Sequence, residues 1–225
     1  MKFFAFIPAK KNSHGLANKN IKLFNNKPLI YWTINSAFKS SKIKKFLVSS
    51  DSPRILNLSK KYKAKLVHLR PKNLALPNTT MLKLVKYYKK FYKNYDAIVI
   101  LQPTSPLRNF KDIDKACSIF QRENLDSLLS VKKLEHTSNP EQIFKLKNNK
   151  LNYLISKKRR QSIRQLKKTY YVSDGSAIYI TKVKHINKFI IGGKIGAYVM
   201  PKNRSIDIDD YQDFKIAELL SKSKF

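Results

Sequence analysis

Cysteine is all but missing from this chain. Cys117 stands alone among 225 residues, so no disulfide can form within it and no cysteine cluster can hold a metal. Long apolar runs are missing too: nothing approaches the ~20 apolar residues of a membrane-spanning helix. The opening MKFFAFIPAKK breaks at Pro8, too early for a secretory leader. Acidic residues are scarce, with 14 Asp+Glu against 47 Lys+Arg and a formal net charge of +33. Such a balance attracts polyanions, yet no RRM, KH, zinc-finger or helix-turn-helix signature accompanies it. The excess is mostly Lys, spread along the whole chain with abundant Asn and Ile, as a coding bias would spread it. Polyanion binding in vitro is therefore expected to be nonspecific. Also absent are the phosphate-cradling strings GxGxxG and GxxxxGK[ST]. The expectation is a soluble cytoplasmic protein in a reducing compartment, with no membrane contact and no specific nucleic-acid partner.

The residues that are present describe a globular chain. Hydrophobic residues make up 42% and aromatics 12%, enough for a substantial core in one domain spanning residues 1–225. Apolar runs that read as buried strands lie near 2–7, 45–49, 64–68, 96–101, 126–131, 176–181 and 196–200. Between the early ones are segments of helical period. Pro28 suits the first position of one helix, and Ser52-Pro53 opens another that runs to about Tyr62. Further helices are predicted at 79–93, 110–123 and 210–222. Alternation of strand and helix through residue 131 predicts βαβ units and a mostly parallel sheet. Residues 132–168 break the pattern, being charged, Asn-rich and weakly periodic; disorder, a flap and an intersubunit arm all fit them.

Four stretches carry candidate chemistry. Residues 3–20, FFAFIPAKKNSHGLANKN, are a buried strand emptying into a loop that offers Lys10, Lys11, Ser13, His14, Lys19 and Asn20. Open α/β sheets place ligands beyond the carboxyl ends of their strands, and these donors suit an anion, a phosphate first of all. Asp51 follows the second strand, where it could accept from a sugar hydroxyl, orient the loop, or simply cap the next helix. Leu101–Arg108, LQPTSPLR, fixes Gln102, Thr104, Ser105 and Arg108 between two prolines after a strand, as substrate positioning would or as a bare turn would. In Ser205–Asp210, SIDIDD, alternation in an extended chain points Asp207 and Asp209 the same way with Ile206 and Ile208 packed behind. Two aligned carboxylates in so basic a chain form a candidate Mg²⁺ site; helix capping by Asp209 or Asp210 is the other reading. Lysines and Mg²⁺ together suit a nucleoside triphosphate.

Taken together these strings resemble the acylneuraminate cytidylyltransferase family, CMP-sialic acid synthetases and their relatives acting on legionaminic, pseudaminic and other 2-keto-3-deoxy sugar acids. IPAKKNSHGLANKN, KPLIYWTI, VSSDS, Arg70-Pro71, LQPTSPLR, DSLLSV, DGSAIY and SIDIDDYQDF follow in the family's order through nearly the whole chain. The resemblance implies a Rossmann-like three-layer α/β sandwich, mostly parallel, whose residues 132–168 form a protruding dimerisation arm in a homodimer. It implies Mg²⁺-dependent transfer of CMP from CTP to the anomeric 2-hydroxyl of a nine-carbon sugar acid, releasing pyrophosphate. Lys10, Ser13, His14 and Lys19 would then face the CTP phosphates, with Asn20 and Arg70 at the cytidine. Gln102, Thr104, Ser105, Arg108, Gln165 and Asp174 would lie on the sugar side, and Asp207 and Asp209 would hold the metal. Lys10, Lys19 and Asp209 are the catalytic candidates. An apolar acyl pocket is expected near Ile190 and Ile191. The chain departs from the family at Lys10, His14, Pro77 and Asp174, where the family has Arg, Lys, an acidic residue and Asn. These departures keep two other readings open: a degenerate paralogue, and a basic nucleotide- or polyanion-binding protein on the same scaffold.

Overall fold

The computed structural model describes residues 1–12, 15–155, 168–173, 175 and 177–222. In chain order the elements are β1 (Phe3–Pro8), β2 (Leu23–Phe24), β3 (Lys27–Pro28), α1 (Leu29–Lys39), β4 (Ile43–Ser50), α2 (Pro53–Lys61) and β5 (Leu66–Leu69). There follow α3 (Met81–Tyr87), α4 (Lys89–Tyr92), β6 (Ala97–Ile100), α5 (Phe110–Arg122) and β7 (Ser127–Lys133). The chain closes with β8 (Phe144–Lys147), β9 (Lys150–Tyr153), β10 (Tyr171–Ser173), β11 (Tyr179–Lys182), β12 (Ile195–Val199) and α6 (Tyr211–Lys222). Eight strands make one sheet in the order β10-β7-β11-β6-β1-β4-β5, with β12 parallel to β7 beside that path. β6, β1, β4 and β5 run parallel, while β11 is antiparallel to both β6 and β7.

β1 shows why its sequence is apolar without alternation. Phe3, Ala5 and Ile7 enter a core layer with Ile30 and Ile34 of α1, Ile55 of α2, and Ile113, Cys117 and Phe120 of α5. Phe4 and Phe6 enter the opposite layer with Leu84, Val85, Tyr88 and Tyr92. A strand covered by helices on both faces has no solvated side, and each fully buried Phe contributes ~1.5–3 kcal/mol. This is the expected three-layer α/β sandwich. No helix among the described residues is long and apolar enough to cross a membrane.

Local chemistry adjusts several expectations. Pro28 precedes α1 as its cap residue at the end of β3, so its ring fixes the entry and not the first turn. Ser52, and not Asp51, caps α2: its side chain accepts from the Ile55 amide, with Pro53 in the first turn. The helix predicted over 79–93 breaks at Tyr88, whose ring is fully buried between α3 and α4. Of the segment 132–168, Lys132 and Lys133 prolong β7, and β8 and β9 form a hairpin exposed at every residue. Residues 156–167 lie outside the described residues.

Candidate active site

The carboxyl ends of β1, β4, β5 and β6 face one way, and the basic loop, Asp51, Arg70 and Leu101–Arg108 follow directly from them, while Ser205–Asp210 arrives from beyond β12. The Ala9 amide continues the ladder onto the Ser49 carbonyl (2.8 Å) before the basic loop departs. Three contacts then shape that loop. Asn20 Nδ2 donates to the Lys10 carbonyl (2.6 Å). The Lys11 amide donates to Asp51 Oδ1 (2.7 Å), so Asp51 orients the loop, one of the three roles open to it. Gly15 sits at φ +88°, where a Cβ would collide with the backbone carbonyl of Asp209. The loop and the Asp207–Asp209 segment are thus in backbone contact, closer than any L side chain permits.

Lys19 completes this junction. It stands in a short 3₁₀ turn, 3% exposed, and its ammonium donates to the Ile208 carbonyl and lies 3.7 Å from Asp209 Oδ1. Burying an ammonium is costly unless it is hydrogen-bonded and paired, and here the partner is the candidate metal-binding segment itself.

That segment joins no sheet among the described residues. Ile208 is fully buried with Phe24, Leu29 and Phe214, Ile206 packs beside it, and the Ile208 amide donates to the Thr104 carbonyl (2.9 Å). Ile206 and Ile208 thus pack inward as the alternation in the sequence predicts, while Asp207 is half-buried and Asp209 exposed. Gly175, at φ +77°, lies so close to Asp207 that a Cβ there would overlap its carboxylate. Asp209 is 80% exposed. Capping of α6 falls to its neighbours: the Asp213 amide donates to Asp210 Oδ1 (2.9 Å), and Asp213 Oδ2 accepts from the amides of Asp209 (3.0 Å) and Asp210 (3.2 Å). The carboxylates of Asp207 and Asp209 are not spent on the cap. No group of three or more His, Cys, Asp or Glu side chains gathers among the described residues. Two carboxylates fit Mg²⁺, which is commonly held by one or two carboxylates plus substrate phosphates.

Beside the loop, Arg70 is 6% exposed, and its guanidinium donates to Ser49 Oγ (3.2 Å) and to the Ser49 carbonyl (3.0 Å). Burial lowers its pKa, partly countered by Tyr88 and Asp51. Ser49 Oγ in turn donates to the Tyr88 hydroxyl (2.9 Å).

A sequence profile of the family described as Cytidylyltransferase matches residues 4–221. The chain belongs to the cytidylyltransferase family. It is 33% identical over 232 residues to an N-acylneuraminate cytidylyltransferase of Escherichia coli O18:K1:H7, covering 99% of this chain and 53% of that one, so it spans about half the length of that relative. It is 30% identical over 229 residues to a pseudaminic acid cytidylyltransferase of Campylobacter jejuni strain 81-176, covering 99% and 97%. In structure it is similar to a CMP:2-keto-3-deoxy-manno-octonic acid synthetase complexed with CTP, with TM-score 0.73, 13% identity and 98% of each chain covered. At that identity the likeness shows the fold alone.

Not every residue expected to serve a cytidylyltransferase reaches the open site. Arg108, grouped with Gln102 on the sugar side, is instead 1% exposed. Its Nη1 donates to the carbonyls of Gln102 (3.1 Å) and Ala177 (2.8 Å), and its Nη2 to Thr33 Oγ1 (2.6 Å). With its fork spent on protein acceptors, Arg108 holds the Leu101–Arg108 loop from beneath. Thr104 Oγ1 and Ser105 Oγ are buried with no hydrogen-bond partner among the described residues. Gln102 is half-buried beside them. Ile190, expected near an acyl pocket, is partly buried against the core layer of Tyr88 and Tyr92. Ser13, His14, Gln165 and Asp174 lie outside the described residues.

One cluster has no counterpart in the sequence reading. Asp112, fully buried at the third position of α5, forms a capping box with Asn109. It also accepts from Tyr198 Oη (2.8 Å) and from Arg204 Nη2 (2.8 Å) and Nε (3.0 Å). Burial pushes the Asp112 pKa up, but the bonds from Arg204, Asn109 and Tyr198 outweigh it and hold the carboxyl below its ordinary value. Asn109-x-x-Asp112 is legible as a cap; Tyr198 and Arg204 meet it only through the fold.

Proposed function

We propose that this cytidylyltransferase transfers CMP from CTP to the anomeric 2-hydroxyl of a sialic-acid-like 2-keto-3-deoxy sugar acid, releasing pyrophosphate. One observation carries the reading: the buried ammonium of Lys19 bridges the basic loop to the segment bearing Asp207 and Asp209. A loop of cations closed onto a pair of carboxylates is the arrangement a metal–triphosphate requires. The relatives named above support the sugar class.

In this reading the 2-hydroxyl gives up its proton to water as it attacks the α-phosphorus, the new O–P bond forms, and pyrophosphate leaves with the electrons of the broken P–O bond. Lys10, Ser13, His14 and Lys19 would hold the phosphates, and Lys19 would stabilise charge developing at the transferred group. Arg70 would face the cytidine, while Asn20 keeps Lys10 in place through its bond to that residue's carbonyl. Gln102, Thr104, Ser105, Gln165 and Asp174 would line the sugar side. Mg²⁺ would be held by Asp207 and Asp209, where its chemistry is Lewis-acid stabilisation of phosphate oxygens. The chain would act in the cytoplasm as a homodimer. Exposed Phe144, Leu146, Leu151 and Tyr153 on the β8–β9 hairpin offer a second copy an apolar surface.

The test is Asp209→Asn. The substitution keeps shape and removes charge at an exposed position, so circular dichroism should be unchanged while Mg²⁺-dependent pyrophosphate release from CTP is abolished. Release at the wild-type rate overturns the metal assignment.

A further inference from the structure

The Asp112 cluster is built beyond what a helix cap needs. α6 shows the comparison, since Asp213 performs the same capping exchange with a half-buried carboxylate and no arginine bonded to it among the described residues. At α5 the carboxylate is fully buried and, beyond the capping bond from the Asn109 amide, takes donors from two further places: Tyr198 near the end of β12, and both arms of the Arg204 fork. A bidentate guanidinium–carboxylate pair fixes orientation as well as distance. As a stabilising device alone the pair is poorly explained, because the desolvation penalty of the fully buried carboxylate can exceed the attraction.

Its place in the fold supplies the explanation. Arg204 ends the 3₁₀ turn Lys202–Arg204, and the next residues are Ser205, Ile206, Asp207, Ile208 and Asp209. Tyr198 lies just before that turn, so Asp112 grips the connection from β12 at both ends. Farther along, Ile208 hangs on the Thr104 carbonyl, within the loop that leads into α5. One buried carboxylate therefore ties together the two loops that border the site.

We propose that Asp112 and Arg204 are positioning residues for CMP transfer: their fork sets the path of residues 205–209 and so places Asp207 and Asp209 opposite Lys19. The inference rests on the metal reading of that carboxylate pair. Neither residue touches substrate; both act through the segment they hold. Outer-shell partners of this kind typically change metal affinity by 10–100-fold when removed.

The experiment compares Arg204→Met, Arg204→Lys and Asp112→Asn in the full chain with Lys182→Met. The last breaks a salt bridge to Asp126 at the other end of β7 (3.1 Å) and serves as a stability control. Three quantities are read: melting temperature, the Mg²⁺ concentration at half-maximal pyrophosphate release under saturating CTP, and hydrogen exchange of a peptide spanning 205–209 without metal or nucleotide. Arg204→Met should raise half-saturating Mg²⁺ on the order of tenfold, with Arg204→Lys in between. Exchange at the Ile208 amide should quicken in both. Lys182→Met should lower the melting temperature and move neither of the other readings. Unchanged Mg²⁺ dependence and unchanged exchange in a folded Arg204 variant overturn the proposal. Should Arg204→Met fail to fold, Arg204→Lys and Asp112→Asn decide it. Should the wild type release no pyrophosphate, the activity reading falls, and exchange at 205–209 still decides whether the fork sets that segment.

Discussion

Replacing Lys19 by Met separates its two jobs, support and catalysis. The side chain is buried, and its ammonium donates to the Ile208 carbonyl. Methionine fills much the same slot without the charge. An acceptor stripped of its donor in a buried place costs ~1–3 kcal/mol. The ion pair at 3.7 Å adds little, since Asp209 is 80% exposed and such pairs are worth about 1 kcal/mol or less. At ~2–4 °C per kcal/mol for a chain of this size, the melting temperature should fall by roughly 2–12 °C. With a typical stability of ~5–15 kcal/mol the variant stays folded at 25 °C. The rate should suffer far more, because removing one preorganised donor to a developing anion costs about 10²–10³ in kcat. Calorimetry and a coupled pyrophosphate assay on the same preparations give both numbers. A kcat within a few-fold of wild type, alongside the expected drop in melting temperature, would show that Lys19 is only a strut.

Three further outcomes follow from individual environments. Gly175→Ala forces a Cβ onto the Asp207 carboxylate at φ +77°; displacing that group should cost about 10²-fold in kcat while the fold persists, and an unaffected kcat would remove Asp207 from the site. Asp126 is held at about 2 by the Lys194 amide first and the Lys182 ammonium second; its folded pKa lies below its ordinary value, so its contribution is present above about pH 4 and is lost as pH falls toward 2. Asp126→Asn should accordingly melt below wild type at neutral pH and alongside it near pH 2, and a gap constant with pH would contradict the assignment. Cys117 is fully buried, and burial, with Asp114 nearby, raises its thiol pKa; alkylation by iodoacetamide should proceed only at the rate of unfolding, and faster labelling would refute it.

The fold was legible wherever a signal is local or periodic. Buried runs such as FFAFI and AIVI mark β1 and β6 because both of their faces are covered. Ser52-Pro53 marks the start of α2. The β8–β9 hairpin carried a readable cue in Asn148-Asn149, both at positive φ as a tight hairpin turn demands, but surrounding lysines hid it. β10 was missed because a three-residue edge strand leaves almost no pattern. The site was legible as separate strings. Their mutual geometry was not: nothing in LQPTSPLR tells that Arg108 turns inward to three protein acceptors, and nothing near Asn109 announces Arg204. Those are encounters between segments far apart in sequence, decided by how β12 and α5 pack.

The central claim is that the loop from Lys10 to Asn20 and the carboxylates of Asp207 and Asp209 together handle CTP for transfer to a sugar acid. Pyrophosphate release by the wild-type chain tests it most directly. CTP, UTP and ATP are each offered with a panel of eight- and nine-carbon 2-keto-3-deoxy sugar acids and Mg²⁺. Release with CTP that requires one of the sugar acids is the predicted result. No release with any pair, or release indifferent to the sugar, would contradict it.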